Sequence, residues 1–189
     1  MLKLFVILSC LVYSSGNFPQ RKLDFEDKNL KHEIQKISGS ESTDLIEFQV
    51  NTGSIQGKFF TFSDQNDSKK YLYVGRVNSC RAGGCSNPAL SASGLETSEF
   101  FDYFVVFEDD IAVQQVRIFN YQATHGQEVT NKGWLKQFQG YNGERQLNVG
   151  KNIDAISGAT VSVYAITNDI QEKTHLLKQV IQKNKTGMK

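Results

Sequence analysis

Residues 99–121 read EFFDYFVVFEDDIAVQQVRIFNY. An almost unbroken aromatic and branched run, Phe100 to Phe107, meets three acids, Glu108-Asp109-Asp110. A second run follows, with Val113, Val116, Ile118 and Phe119 as its apolar residues. Aromatic and β-branched side chains suit a pleated surface, and a polar cluster between two such runs marks a turn. The stretch therefore predicts a hairpin: strand 100–107, turn 108–110, strand 111–121.

Upstream, Lys58 to Phe62 and Tyr71 to Val77 are strand-like, joined by the hairpin-loop composition Asp64-Gln65-Asn66-Asp67-Ser68. Leu45, Ile46, Phe48 and Val50 fit a further strand. Before it, Leu23, Leu30, Ile34 and Ile37 recur at helical spacing and Ser38-Gly39-Ser40 ends the run. Downstream, Trp134, Leu135 and Phe138 suit one face of a short helix. From Thr160 to about Gln182, Val163, Ile166, Ile170, Leu177 and Ile181 define an amphipathic helix of about six turns. Strands and helices do not alternate, so the expected class is α+β with a largely antiparallel sheet, an N-terminal helix and a long C-terminal helix.

The chain has 189 residues, enough for one domain with a sizeable core. An apolar fraction of 39%, a charged fraction of 22% and a net charge of +1 are ordinary for a globular protein. With no run of five or six like charges, nucleic acid is not an expected partner. The N-terminus is distinctive: Lys3, an apolar run from Leu4 to Tyr13, then Ser14-Ser15-Gly16. That is the build of a secretory signal over 1–16, and the run is short of the ~20 residues a spanning helix needs. Ile7-Leu8-Ser9-Cys10 also has the form of a bacterial lipobox, so the mature end is either a lipidated Cys10 or a cut near Gly16. Both readings export the protein, to the periplasm or cell surface, and membrane association would come only through the lipid on Cys10.

Export bears on Cys80 and Cys85, in SCRAGGC, which sit within the Gly-, Ser-, Asn- and Ala-rich stretch 78–98. That stretch lacks periodicity and reads as a long, functional loop. In an oxidising compartment the two thiols are expected to be bridged, structurally or as a redox pair. A metal site would have to recruit His32, His125 or His175, and none is expected.

The segment before the long helix, DAISGATVS at 154–162, is rich in small and hydroxylated residues. A plain helix start would explain any one of them, with Ser157 or Thr160 as N-cap and Gly158 as a turn residue. The whole set resembles the flavinylation motif D-x-x-[S/T]-G-A-T-x-S of the FMN-binding domain family. That family includes the C subunit of sodium-translocating NADH:quinone reductase and the G subunit of the Rnf electron-transport complex. Asp154, Ser157, Gly158, Ala159, Thr160 and Ser162 match it. The resemblance extends up to Phe100 through the aromatic strand, the acidic turn, the second strand, a Thr-x-Gly loop at Thr124 and Gly126, and the short helix over 131–138. It covers 99–189 as an FMN-binding region and leaves 23–98, with the CRAGGC loop, as the N-terminal part of the domain. The chain departs from the family's Glu-Thr-Pro-Gly loop at Ala123-Thr124-His125-Gly126, and from its second serine at Val163.

The resemblance implies a flavin transferase that takes FMN from FAD and links its phosphate to the Thr160 hydroxyl. It further implies an electron-relay flavoprotein without independent substrate turnover, served by an electron donor and acceptor that the sequence does not name. The residue chemistry agrees, because a weak nucleophile must be presented openly, and Gly158 and Ala159 keep the loop slim. Asp154, the nearest carboxylate, would orient the loop or serve the transferase's metal and base. The amides of Val161, Ser162 and Val163 would face a phosphodiester at the helix start, with Ser162 as a further donor. Phe119, Tyr121 and Trp134 are candidate covers for the flavin ring, and His125 a candidate proton carrier. Two other functions fit the same residues: a flavin-linked thiol–disulfide oxidoreductase using Cys80 and Cys85, and a non-catalytic surface binding protein.

Overall fold

A computed structural model describes residues 22–50, 57–81 and 98–187. Five strands, β1 (Ile46–Phe48), β2 (Gly57–Ser63), β3 (Lys69–Arg81), β4 (Ser98–Phe107) and β5 (Val113–Tyr121), form one antiparallel sheet in sequence order. Helix α1 (Lys28–Ser38) precedes it. A short α2 (Lys132–Leu135), flanked by 3-10 turns at Gln127–Thr130 and Lys136–Phe138, leads towards the 28-residue α3 (Thr160–Gly187). The class is α+β, as the order of apolar runs predicts.

The two longer helices, α1 and α3, take opposite faces of the sheet. Phe60, Phe62, Leu72, Val74, Phe104 and Val106 face Leu30 and Ile34 of α1. Their strand neighbours Phe59, Tyr71, Tyr73, Phe101, Tyr103, Val105 and Phe107 face Val163, Ile166, Ile170 and Leu177 of α3. Side chains alternate across a strand, so a strand covered on both faces needs apolar residues at every position. That is why β4 reads FFDYFVVF without a polar alternation.

Helix α1 starts at Lys28, not at Leu23 as its spacing suggests. Asp27 caps it by accepting from the amides of Asn29 (2.8 Å) and Leu30 (3.2 Å). Leu23 and Phe25 lie before the helix and pack on the same apolar cluster. Its C-terminus closes at Gly39, in the left-handed region at φ 71° with its amide on Gln35 O at 2.9 Å. Ile111, expected to open the second strand of the hairpin, lies in the turn instead, at φ 71° with its amide on Glu108 O (2.9 Å). The turn also pairs Glu108 N with Ala112 O (2.8 Å), so β5 begins two residues later.

Residues 82–97 of the loop expected over 78–98 lie outside those described, and the loop does not hold at its ends, because β3 runs through to Arg81 and β4 starts at Ser98. Cross-strand pairing holds these polar residues in the sheet although they have no strand pattern of their own. The signal segment with Cys10, and Cys85 with most of the CRAGGC linker, lie outside the described residues. No helix among the described residues is long and apolar enough to cross a membrane.

Candidate functional site

The ends of β3, β4 and β5 converge beneath the start of α3. Each contributes one polar side chain on the α3 face. Ser79 Oγ lies 2.6 Å from Ser162 Oγ, which joins β3 to the first turn of α3. Tyr121 donates to His125 O at 2.5 Å, and its oxygen is 3.5 Å from Ser162 Oγ. Glu99, buried at the head of β4, accepts from the Thr124 amide at 3.0 Å and from the Thr124 hydroxyl. Burial pushes the Tyr121 phenol up, against the lowering pull of the Ser162 and Ser79 hydroxyls, so it stays a proton donor at neutral pH.

These bonds bring the 124–126 loop against the start of α3. Gly126 adopts φ 85°, and a Cβ there would lie 2.9 Å from Ser162 Oγ and 3.3 Å from Ala159 Cα. Only glycine permits both the backbone angle and the approach. Thr124 and Gly126, read from the sequence as site residues, are thus neighbours of the Ala159–Ser162 segment. The Thr124 hydroxyl, though, is engaged by Glu99.

The segment 154–159 is held from below by α2 and the turn after it. Trp134 Nε1 donates to Asp154 O at 2.9 Å, and Gln137 Oε1 accepts from Asp154 N at 2.8 Å. Both backbone groups of Asp154 are therefore gripped, while the residue stays exposed. Ala159 N bonds Ile156 O (3.1 Å), and Ala159 O receives Val163 N (2.9 Å), the first helical bond of α3. Alanine, not serine or threonine, thus occupies the N-cap position, with its methyl buried. It has no side-chain oxygen to offer the helix, so the amides of Thr160, Val161 and Ser162 have no acceptor within it. The expected trio was one residue too late, since Val163 N is already paired.

Thr160, Ser157 and Gly158 are exposed. Gly158 turns the chain at φ 81°, and nothing lies within 4 Å of the position its Cβ would take. Ser162 differs: it is 2% exposed and directed at Ser79. Of the three aromatic candidates, Tyr121 and Trp134 reach the site and Phe119 does not. Phe119 projects to the α1 face beside Phe104, with ring centroids 6.4 Å apart. Regular alternation would put residues 119 and 121 on one face, but the register shift between Asp102 and Tyr103 opposite them leaves Phe119 as an extra residue in β5 and turns it to the other face.

On the other face of the same sheet end, Asp102 is buried and accepts from Arg76 Nε (2.7 Å) and Nη2 (3.0 Å) and from Asn120 Nδ2 (2.7 Å). This ties β3, β4 and β5 together just where they support the site. Sequence reading missed Ser79, Glu99 and Gln137. A charged residue near the head of a mostly apolar strand was a usable signal for Glu99, whereas Ser79 and Gln137 carried none.

Cys80 follows Ser79 on β3. The Cys80–Cys85 pairing falls partly outside the described residues and is not seen.

The site offers an exposed hydroxyl on a slim turn, three amides free to bind an anion, and a rigid hydroxyl-bonded floor. That donor set fits a phosphate monoester or diester at Thr160. A family model described as FMN-binding domain matches residues 98–173, which run from the start of β4 into α3. No curated protein and no solved structure matches the chain. An FMN-binding domain, of the electron-transfer type, is therefore present in residues 98–173.

Proposed function

We propose that the protein is an exported flavoprotein that carries FMN covalently, through a phosphoester on Thr160, and relays electrons between redox partners. The observation that carries this reading is the exposure of Thr160 at a helix start whose cap residue is alanine. Asp154, Ser157, Gly158 and Ala159 present that hydroxyl to a flavin transferase. The Thr160 oxygen would attack the FMN-side phosphorus of FAD, forming one P–O bond as the pyrophosphate bond breaks. AMP would leave, and the hydroxyl proton would pass to the transferase's base. Once formed, the phosphodiester anion would be favoured by the helix dipole and the three amides, by ~0.3–1 kcal/mol at an exposed terminus. Bound flavin supplies the exchange of one or two electrons, so the chain needs no nucleophile–base pair of its own.

The remaining residues position this group. Trp134 and Gln137 fix Asp154, while Ser79, Tyr121 and Gly126 fix the first turn of α3 through Ser162. The test is intact mass of full-length protein co-produced with a flavin transferase. The wild type should gain one FMN less one water, and Thr160→Ala should gain nothing. An unmodified wild type, or an adduct retained by the variant, overturns the reading.

A second reading has one specific observation behind it. Cys80 is the residue that follows Ser79 on β3, and Ser79 bonds Ser162 at the site. If Cys80 and Cys85 exchange electrons with the flavin, their potential must lie near the flavin's own. A bridge below about −300 mV would be structural and would dismiss this role.

A further inference from the structure

Helix α3 buries one face against the sheet, and its outer face is polar along most of its length. Asn168, Glu172 and His175 are exposed there. The exception is the first turn and a half. Ile46, Val161 and Tyr164 are the exposed large apolar residues among those described, and two of the three flank Thr160. Val161 is 41% exposed and Tyr164 48%. At 3.6 residues per turn, Tyr164 lies between Thr160 and Val161 around the helix and about 6 Å further along it. Helical side chains lean towards the N-terminus, so the Tyr164 ring lies over the turn that carries Thr160 and Val161. Tyr164 makes no hydrogen bond or ring contact among the described residues.

The other aromatics near the site are already committed. Trp134 is buried, spends its N–H on Asp154 O and packs edge-on against Phe138 at 5.4 Å. Tyr121 is covered on one side by Phe101, stacked at 5.6 Å, and its hydroxyl is held by His125 O. An aromatic side chain left in solvent beside an attachment hydroxyl, on a helix otherwise polar outside, calls for an occupant that the hydroxyl itself would bring. We propose that Tyr164, backed by Val161, is the platform on which the isoalloxazine ring of FMN esterified to Thr160 lies. The inference rests on the Thr160 reading above. The occupant suits the surface: a flat aromatic ring covers the phenol and the valine, while its polar edge stays in water.

The experiment uses full-length flavinylated protein, wild type, Tyr164→Phe and Tyr164→Ala, with intact mass recorded for each. A phenol in van der Waals contact quenches flavin emission by transient electron donation, which phenylalanine does not provide. With the adduct present, both variants should emit several-fold more strongly than the wild type. The visible circular dichroism of the flavin should survive in Tyr164→Phe, where the ring still stacks, and fall towards that of free FMN in Tyr164→Ala. Adduct present with emission and dichroism unchanged in both variants would overturn the platform and leave the tether standing. Absence of the adduct from the wild type would instead overturn the tether, and the platform with it. Should Tyr164→Ala alone escape modification, Tyr164→Phe still decides through its emission.

Discussion

Gly126 and Gly158 share a left-handed backbone, at φ 85° and φ 81°, yet they face different surroundings. Giving either a Cβ costs about 1–2 kcal/mol for the backbone alone. At Gly158 nothing more is lost, because the space is open. At Gly126 the added carbon meets Ser162 Oγ at 2.9 Å, Tyr121 Oη at 3.2 Å and the Ala159 backbone at 3.3 Å. Gly126→Ala should therefore lower the urea midpoint more than Gly158→Ala, since it also pushes the 124–126 loop off the start of α3. Equal losses would mean that the loop and the helix are not coupled. Both glycines stood out in the sequence through the motif and the Thr-x-Gly loop, but their unequal surroundings did not. The atoms that distinguish them belong to residues 33 to 36 positions away from Gly126 and to Tyr121.

Helix α3 is bound to the sheet by more than its apolar stripe. The Tyr103 hydroxyl, wholly buried on β4, donates to Asp169, and Lys173 lies 3.1 Å from the same carboxylate. Burial raises the Asp169 carboxyl, with Lys173 and Tyr103 pulling the other way. Burial also drives the Tyr103 phenol well above its ordinary range, reinforced by the Asp169 charge, and the Tyr73 phenol follows for the same reasons. A phenol whose folded pKa is raised binds its proton where the unfolded chain has lost it. Its contribution is thus fully present below about pH 10 and is lost above it, at about 1.4 kcal/mol per pH unit for each such group. Tyr103→Phe should cost about 1–3 kcal/mol at neutral pH, because Asp169 loses a buried partner. It should also make the fall in stability above pH 10 shallower than in the wild type. Urea unfolding followed by circular dichroism between pH 7 and 11 reads both effects, and parallel wild-type and variant slopes would refute the second. The stripe of α3 was legible in its 3.6-residue period. The Tyr103–Asp169 bond was not, because it joins residues 66 apart that only the packed sheet and helix bring together.

At the scale of the molecule, the FMN-binding domain at 98–173 and the strands before it share one sheet. β3 pairs along nearly the whole of β4, α3 packs on β3 as well as β4, and Ser79 of β3 fixes Ser162. A fragment of 98–189 would expose the β3-facing edge of β4 and strip cover from Phe104 and Val106. It should lack dispersed amide resonances and aggregate, whereas the chain from residue 22 onward should fold; a folded fragment would show that β3 is dispensable. The sequence by itself determined the secondary-structure periods, the class and the attachment motif, because apolar spacing and small-residue turns are local properties carried by neighbours in the chain. The tertiary structure alone decided that Ala159 takes the cap position, that Ser162 points inward while Thr160 stays in solvent, and that Phe119 leaves the site. It also placed Ser79 and Glu99 beneath the site. Those outcomes depend on strand register and on which face each side chain takes, and a shift of one residue reverses that face.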